Sequence, residues 1–425
     1  MTANPQTASD PIWPPMEDPA AAAEPGGATP WPEARRIARD AARPLSPVTR
    51  PLAETTGTVL AEPLAALSDL PSFDTSAMDG WAVSGPGPWL LSGELLAGQR
   101  PGAAPLPDGH AIRIATGAAL PPGATAVLRS EDGRTEERGP AGWLHVADGC
   151  PKPEPGQDVR PRGQECRSGD HLLASGTPVT PALIGLAAAA GYDELTVTPR
   201  PRVDVLVLGD ELLDDGPPRD GRVRDALGPL LTPWLRALGA GPDTTVRRLH
   251  DDPDLLHQAV GSSTADLIIT TGGTAAGPVD FVHLVVHRLG ARLLVDGVAV
   301  RPGHPMLLAL LPAGRPLVGL PGNPLAAVTG VLTLAAPLLR ALGGRPDPVP
   351  YAVPLAEPVA GHPVDTRLIP VAFDDASGAA RPLRFRGPAM LRGLAAADAM
   401  AVIPPGGAEA GAAVDILDVG WGSAS

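Results

Sequence analysis

The chain has 425 residues and a formal net charge of −14, from 33 basic and 47 acidic residues. That length allows roughly two to four domains with a sizeable core, and the absence of a basic stripe argues against a nucleic-acid binder. Two cysteines, Cys150 and Cys166, are too few for a disulfide scaffold and lack metal-ligand spacing; no run of about 18 apolar residues marks a membrane span and no secretory signal opens the chain, so a cytoplasmic protein is expected.

Aromatic residues are 3% of the chain, against 50 Gly and 54 Pro, so Leu, Val, Ala and Ile must build the core. Residues 1–30 mix Pro, Ala, Gly and Thr without periodicity and read as a disordered tail. Residues 32–43 predict a helix with Pro near its start, and 51–66 a second helical stretch. From 67 to 155 short strands alternate with Gly/Pro turns, predicting a β-rich insertion. Residues 31–66 and 156–199 are expected to form one discontinuous helical or mixed N-terminal domain around it.

Residues 200–345 alternate strand and helix. Strands are expected near 203–208, 243–248, 266–271 and 317–320, and helices near 223–238, 252–261, 279–289 and 323–341. This alternation predicts an α/β multidomain protein whose centre is a doubly wound domain with right-handed crossovers. Residues 291–311 read as a β-hairpin interrupted by Arg301-Pro-Gly-His304, and 346–425 as a separate small C-terminal β-domain.

Three of these strands end in short glycine turns, and in a parallel sheet all three turns fall at the carboxyl edge, where open sheets bind ligands. The turn Thr271-Gly-Gly-Thr-Ala-Ala-Gly277 offers Gly272, Gly273, Thr274 and Gly277 to an anion beside a helix N-terminus. It is neither a phosphate-binding loop with a following Lys-Ser/Thr nor a Gly-x-Gly-x-x-Gly fingerprint, and an ordinary turn reads equally well. In Gly319-Leu-Pro-Gly-Asn-Pro324, the prolines stiffen a loop in which Asn323 caps the next helix, or in which Pro321, Gly322 and Asn323 face a ligand. Asp210 and Glu211 end the first strand, either solvated or holding a cation that Asp280 shares; Mg²⁺ suits one or two carboxylates plus waters. Asp79, before Gly80, is the candidate functional residue of a polar turn, and Thr116 follows another strand end. Arg160 and Arg162 lie in a polar loop where they could fork onto phosphate.

Together these segments resemble the molybdopterin molybdotransferase family (MoeA and the gephyrin E domain). The family's Pro-x-Phe-Asp-x-Ser-Ala-Met-Asp-Gly-Tyr-Ala-Val is matched at 71–83, with Trp81 for Tyr. Further matches follow in family order at Arg113-Ile-Ala-Thr-Gly-Ala118, 156–165, 208–212, Gly272 to Asp280 and 319–324. The resemblance implies insertion of molybdate into adenylated molybdopterin with release of AMP, a divalent cation, and a homodimer whose cleft lies between the doubly wound domain of one subunit and the β-domain of the other. It implies that Asp79 and Thr116 act across that cleft, that Asp210, Glu211 and Asp280 hold the cation, and that Arg301 contacts an anion with His304 beside it. Other molybdenum cofactor biosynthesis proteins are further expected partners. The chain departs from the family pattern where Lys-Pro-Gly-Lys becomes Arg301-Pro-Gly-His304, and also at Leu208, at 224–227 and at 274–276. Those departures motivate an alternative, a non-catalytic relative that binds molybdopterin or a partner protein.

Overall fold

The computed structural model describes residues 27–138, 141–274 and 281–421. It divides into two compact units. One holds Arg43–Pro201 with Arg340–Pro346; the other holds the chain up to Ala42, Arg202–Leu339 and the chain from Asp347 onward.

In the first unit, six strands form a sheet in the order Gly133–Arg138, Ala141–Val146, Trp89–Leu95, His110–Ile114, Gly80–Val83, Ala126–Arg129. Trp81, Val83, Trp89, Leu128 and Leu144 fill its core. A second core gathers Leu60, Leu183, Ala187, Leu195 and Val197, under the helix Pro181–Ala189. Thr180 caps that helix, accepting a hydrogen bond from the Leu183 amide at 3.2 Å, and Pro181 opens it, as a proline at the first helical position should. The helix expected over 51–66 does not form. Val48–Pro51 and Val59–Leu60 are strands that pair with Glu194–Thr198, and only Leu52–Glu54 makes a helical turn. Cross-strand partners nearly 140 positions away outcompete a marginal local helix there.

In the second unit, six strands run in the order Thr245–Leu249, Val203–Leu208, Leu267–Thr271, Pro316–Leu320, Leu307–Leu310, Arg292–Asp296. The first four are mutually parallel, and Leu307–Leu310 runs antiparallel to both of its neighbours, Pro316–Leu320 and Arg292–Asp296. Helices Leu227–Ala237, Pro253–Ser262, Val282–Arg288 and Pro324–Gly330 alternate with them, so the doubly wound expectation holds. Val203–Leu208 and Pro316–Leu320 are near-continuous apolar runs because helices cover both sheet faces. Leu206, Ile268, Leu307 and Leu317 pack against Leu256, Val260, Val282 and Val285. Each such buried side chain contributes about 1.5–3 kcal/mol.

The helix from Pro324 continues through a π segment, Val331–Ala335, to Leu342. It is apolar and long enough to cross a membrane, yet 89% of it is buried inside the fold. The helix Trp31–Asp40 packs on it, with the Trp31 indole N–H donating to Thr333 Oγ1 at 3.0 Å. This helix therefore belongs with 202–339 and not with 156–199 as expected.

Two further expectations change here. Arg292–Asp296 and Leu307–Leu310 do form the two arms of the expected hairpin, but the intervening Val298–Arg301 strand leaves that sheet. It lies parallel to Thr366–Phe373, between it and Thr29–Pro30, in a sheet completed by Ala399–Ile403, Ala413–Asp418 and Ala352–Pro354. The C-terminal β-domain is thus joined to the doubly wound domain by a shared sheet. Thr29 and Pro30, expected in the tail, are part of it; residues 1–26 lie outside the described residues.

Candidate functional site

In the first unit, Asp79 and Thr116 come together at the ends of neighbouring strands. Gly80–Val83 and His110–Ile114 pair antiparallel, with Gly80 opposite Ile114, which sets the residues just outside each strand side by side. Asp79 Oδ1 accepts hydrogen bonds from the Thr116 amide at 2.7 Å and from Thr116 Oγ1 at 3.0 Å. The amide, then the hydroxyl, hold the Asp79 carboxyl below the usual carboxylate range. Gly80 is required for the approach: a Cβ there would stand 2.0 Å from the Leu128 carbonyl oxygen. Both residues are exposed, so the carboxylate is fixed and ionised at a surface. Arg162 is already engaged within its own unit. Its amide donates to Asp74 Oδ1 at 2.7 Å, and its guanidinium pairs with Asp69.

At the carboxyl edge of the parallel sheet, Asp210 is exposed and its Oδ1 accepts from His250 Nδ1 at 2.6 Å. That hydrogen bond is the main cause holding the Asp210 carboxyl below its ordinary value. His250 follows the neighbouring strand Thr245–Leu249, so the strand-end logic that selected Asp210 would also have found it. Glu211 is exposed, and its carbonyl accepts from the Val223 amide at 2.9 Å. Asp280 and Gly277 lie outside the described residues. Among the described residues no three His, Cys, Asp or Glu side chains gather as a metal centre.

The glycine turn is less open than expected. Gly272 and Gly273 have φ of 85° and 64°, a left-handed conformation that glycine adopts without strain. The Gly272 amide is already bonded to the Leu320 carbonyl at 2.9 Å, and Thr274 is buried. Asn323 stands at the helix N-cap position without a side-chain cap. The Pro388 carbonyl instead accepts from the Leu325 and Ala326 amides, at 2.9 and 3.2 Å. Those helix-terminal donors are therefore spent on the C-terminal domain. Pro321 is buried, whereas Gly322 and Asn323 are exposed beside this junction.

The junction carries a cluster of positive charge. Arg301 pairs in parallel register with Arg367, and a cavity of about 300 Å³ is lined by Arg301, His362, Arg367, Arg386 and Pro388 among others. Arg301 Nε donates to Asp365 Oδ2 at 2.8 Å, and both side chains are largely buried. His362 Nδ1 accepts from the Asp365 amide at 3.0 Å. Burial, then the neighbouring Arg386, lower the Arg367 pKa from its ordinary value. Like charges brought this close are costly unless an anion joins them. His304 turns away, its Nδ1 donating to the Val298 carbonyl of its own loop at 2.9 Å. Sequence reasoning missed His362, Asp365, Arg367 and Arg386. No local motif marks them; only the shared sheet brings them to Arg301.

A doubly wound domain fused to β-domains, with an arginine-lined cavity where they join, defines a class of multidomain α/β proteins. Three family models match in order: MoeA N-terminal region (domain I and II) over residues 29–191, probable molybdopterin binding domain over 204–341, and MoeA C-terminal region (domain IV) over 352–419. The chain is 34% identical over 339 residues to the molybdopterin molybdenumtransferase of Synechococcus elongatus, covering 76% of this chain and 82% of that protein. It is 30% identical over 391 residues to that of Staphylococcus aureus, covering 87% and 90%. A crystal structure of the molybdopterin biosynthesis MoeA protein from Pyrococcus horikoshii superposes with a TM-score of 0.73 at 26% identity, covering 92% of this chain and 99% of that one. The chain belongs to the molybdopterin molybdenumtransferase (MoeA) family.

Proposed function

We propose that this protein is a molybdenum cofactor biosynthesis transferase that inserts molybdate into adenylated molybdopterin and releases AMP. The observation that carries the reading is the cavity at Arg301, Arg367 and Arg386, whose guanidiniums suit a tetrahedral oxyanion through paired N–H donors. Arg301 and Arg367 fix the molybdate oxygens, and His362 lines the same cavity with its Nδ1 held by the Asp365 amide. Asp79, ionised and locked by Thr116, positions the pterin side of the substrate. The glycine turn at Gly272 and Gly273 lets the substrate phosphates approach the strand ends closely.

Mg²⁺ is part of the proposal. Asp210 and Glu211 present adjacent exposed carboxylates at the sheet edge, hard oxygen donors of the kind this ion takes, with Asp280 as the third expected ligand. Bound there, the ion would offset negative charge on the substrate phosphates. His250 then orients the Asp210 carboxylate from behind. The reading also takes the protein as a cytoplasmic homodimer working beside other cofactor-biosynthesis proteins, an inference from the family resemblance. The relatives described above carry transferase names and lend nothing to the non-catalytic alternative.

The test is incubation of the full chain with adenylated molybdopterin, molybdate and Mg²⁺, following AMP. Release that depends on molybdate is expected; its absence at micromolar enzyme overturns the reading.

A further inference from the structure

The charge count of the arginine cavity carries one more step, which rests on reading that cavity as an oxyanion site. Arg301 is opposed by the buried carboxylate of Asp365 at 2.8 Å. Asp365 also stands against His362, its amide 3.0 Å and its Oδ2 3.3 Å from the His362 Nδ1. Arg367 and Arg386 have no carboxylate partner among the described residues. Arg367 spends one N–H on the Ala360 carbonyl, which carries no net charge. The cavity is thus left with two uncompensated positive charges.

Arg386 is held there by an uncommon backbone. It follows Phe385, whose φ of 60° lies in the left-handed region that bulky side chains avoid. The Arg392 guanidinium sits 4.4 Å over the Phe385 ring and braces it. Strain kept beside a charged side chain is the pattern of a functional turn.

We propose that Arg386 sets the charge selectivity of this cavity: together with Arg367 it presents two positive charges that match a tetrahedral dianion and discriminate against a monoanion of the same shape. Shape alone cannot separate molybdate from perrhenate, since both are tetrahedral oxyanions of similar size. Charge can, because each additional unit charge at contact distance is worth more than about a factor of ten in affinity at the effective dielectric typical of a protein surface.

The experiment is calorimetric titration of the full chain with molybdate and with perrhenate. The wild type should bind molybdate at least about tenfold more tightly. In Arg386→Gln, molybdate affinity should fall about tenfold or more and perrhenate affinity much less, so the ratio collapses. Arg386→Lys should restore the ratio, which a purely structural role of the residue would not predict. Arg386 is exposed, and circular dichroism checks that each variant keeps the fold. Molybdate binding with an unchanged ratio in Arg386→Gln overturns the inference and leaves the proposed function standing. A wild type that binds neither anion removes both.

Discussion

Arg301 and Arg367 are direct partners in a parallel pair of strands, although they belong to different domains of the chain. Side chains in register on adjacent strands share a face, so two guanidiniums project side by side into one cavity. Like charges so placed are destabilising unless something negative sits with them. Asp365 meets part of that need, bonded to Arg301, and the proposed oxyanion would meet the remainder.

Molybdate should therefore stabilise the protein. A ligand at a hundred times its Kd adds about 2.7 kcal/mol to a fold that alone binds it. Thermal unfolding with and without molybdate should show a rise in Tm, and Arg367→Gln should abolish that rise while leaving the unliganded Tm nearly unchanged.

Asp365→Asn should cost roughly 1.5–3 kcal/mol, the worth of a hydrogen bond to a charged group in a largely buried setting. Chemical denaturation of the variant measures this directly. Asp365→Glu retains the charge and should recover part of the loss.

The acid limb of activity should follow Asp79. Because Thr116 holds the folded carboxyl below its unfolded value, the carboxylate contributes stability above the ordinary carboxylate range, and that contribution is lost as pH falls through the folded pKa. Activity that needs ionised Asp79 should accordingly persist to a lower pH than an ordinary carboxylate allows. Thr116→Val keeps the amide donor and removes the hydroxyl, so it should move the acid limb upward. A profile of kcat/KM against pH decides.

His250→Ala should raise the Asp210 carboxyl toward its ordinary value by removing the 2.6 Å hydrogen bond. If Asp210 holds Mg²⁺, loss of this orienting partner should raise the Mg²⁺ concentration for half-maximal AMP release about 10-fold or more. An unchanged Mg²⁺ requirement would place the ion elsewhere.

Gly80→Ala places a methyl 2.0 Å from the Leu128 carbonyl. The neighbouring strand must give way, at a cost of about 1–3 kcal/mol or more. The Tm should fall, and because Asp79 is the preceding residue, AMP release should fall with it.

Much of the second unit was legible from local pattern. The runs at 203–208, 266–271 and 317–320 are apolar over lengths that only buried strands take, and the structure has strands at Val203–Leu208, Leu267–Thr271 and Pro316–Leu320. Asp79 and Thr116 were each chosen from their turns, and the structure brings them into contact. Residues 51–66 misled because several alanines and leucines fit a helix, while the deciding partner, Glu194–Thr198, is remote. Asn323 stood where a cap belongs, but a carbonyl from Pro388 had taken the amides.

The amino-acid order by itself determined the alternating strands and helices, the glycine turns that only a residue without Cβ can make, and the family pattern running from 71 to 324. These follow from side-chain periodicity and backbone sterics, which act within a few residues. Tertiary structure alone decided that Val298–Arg301 would leave its hairpin and pair with Thr366–Phe373, setting Arg301 against an aspartate 64 positions away. Pairing across such a separation is settled by the total burial and hydrogen bonding of the whole sheet, a sum that no local stretch of sequence contains.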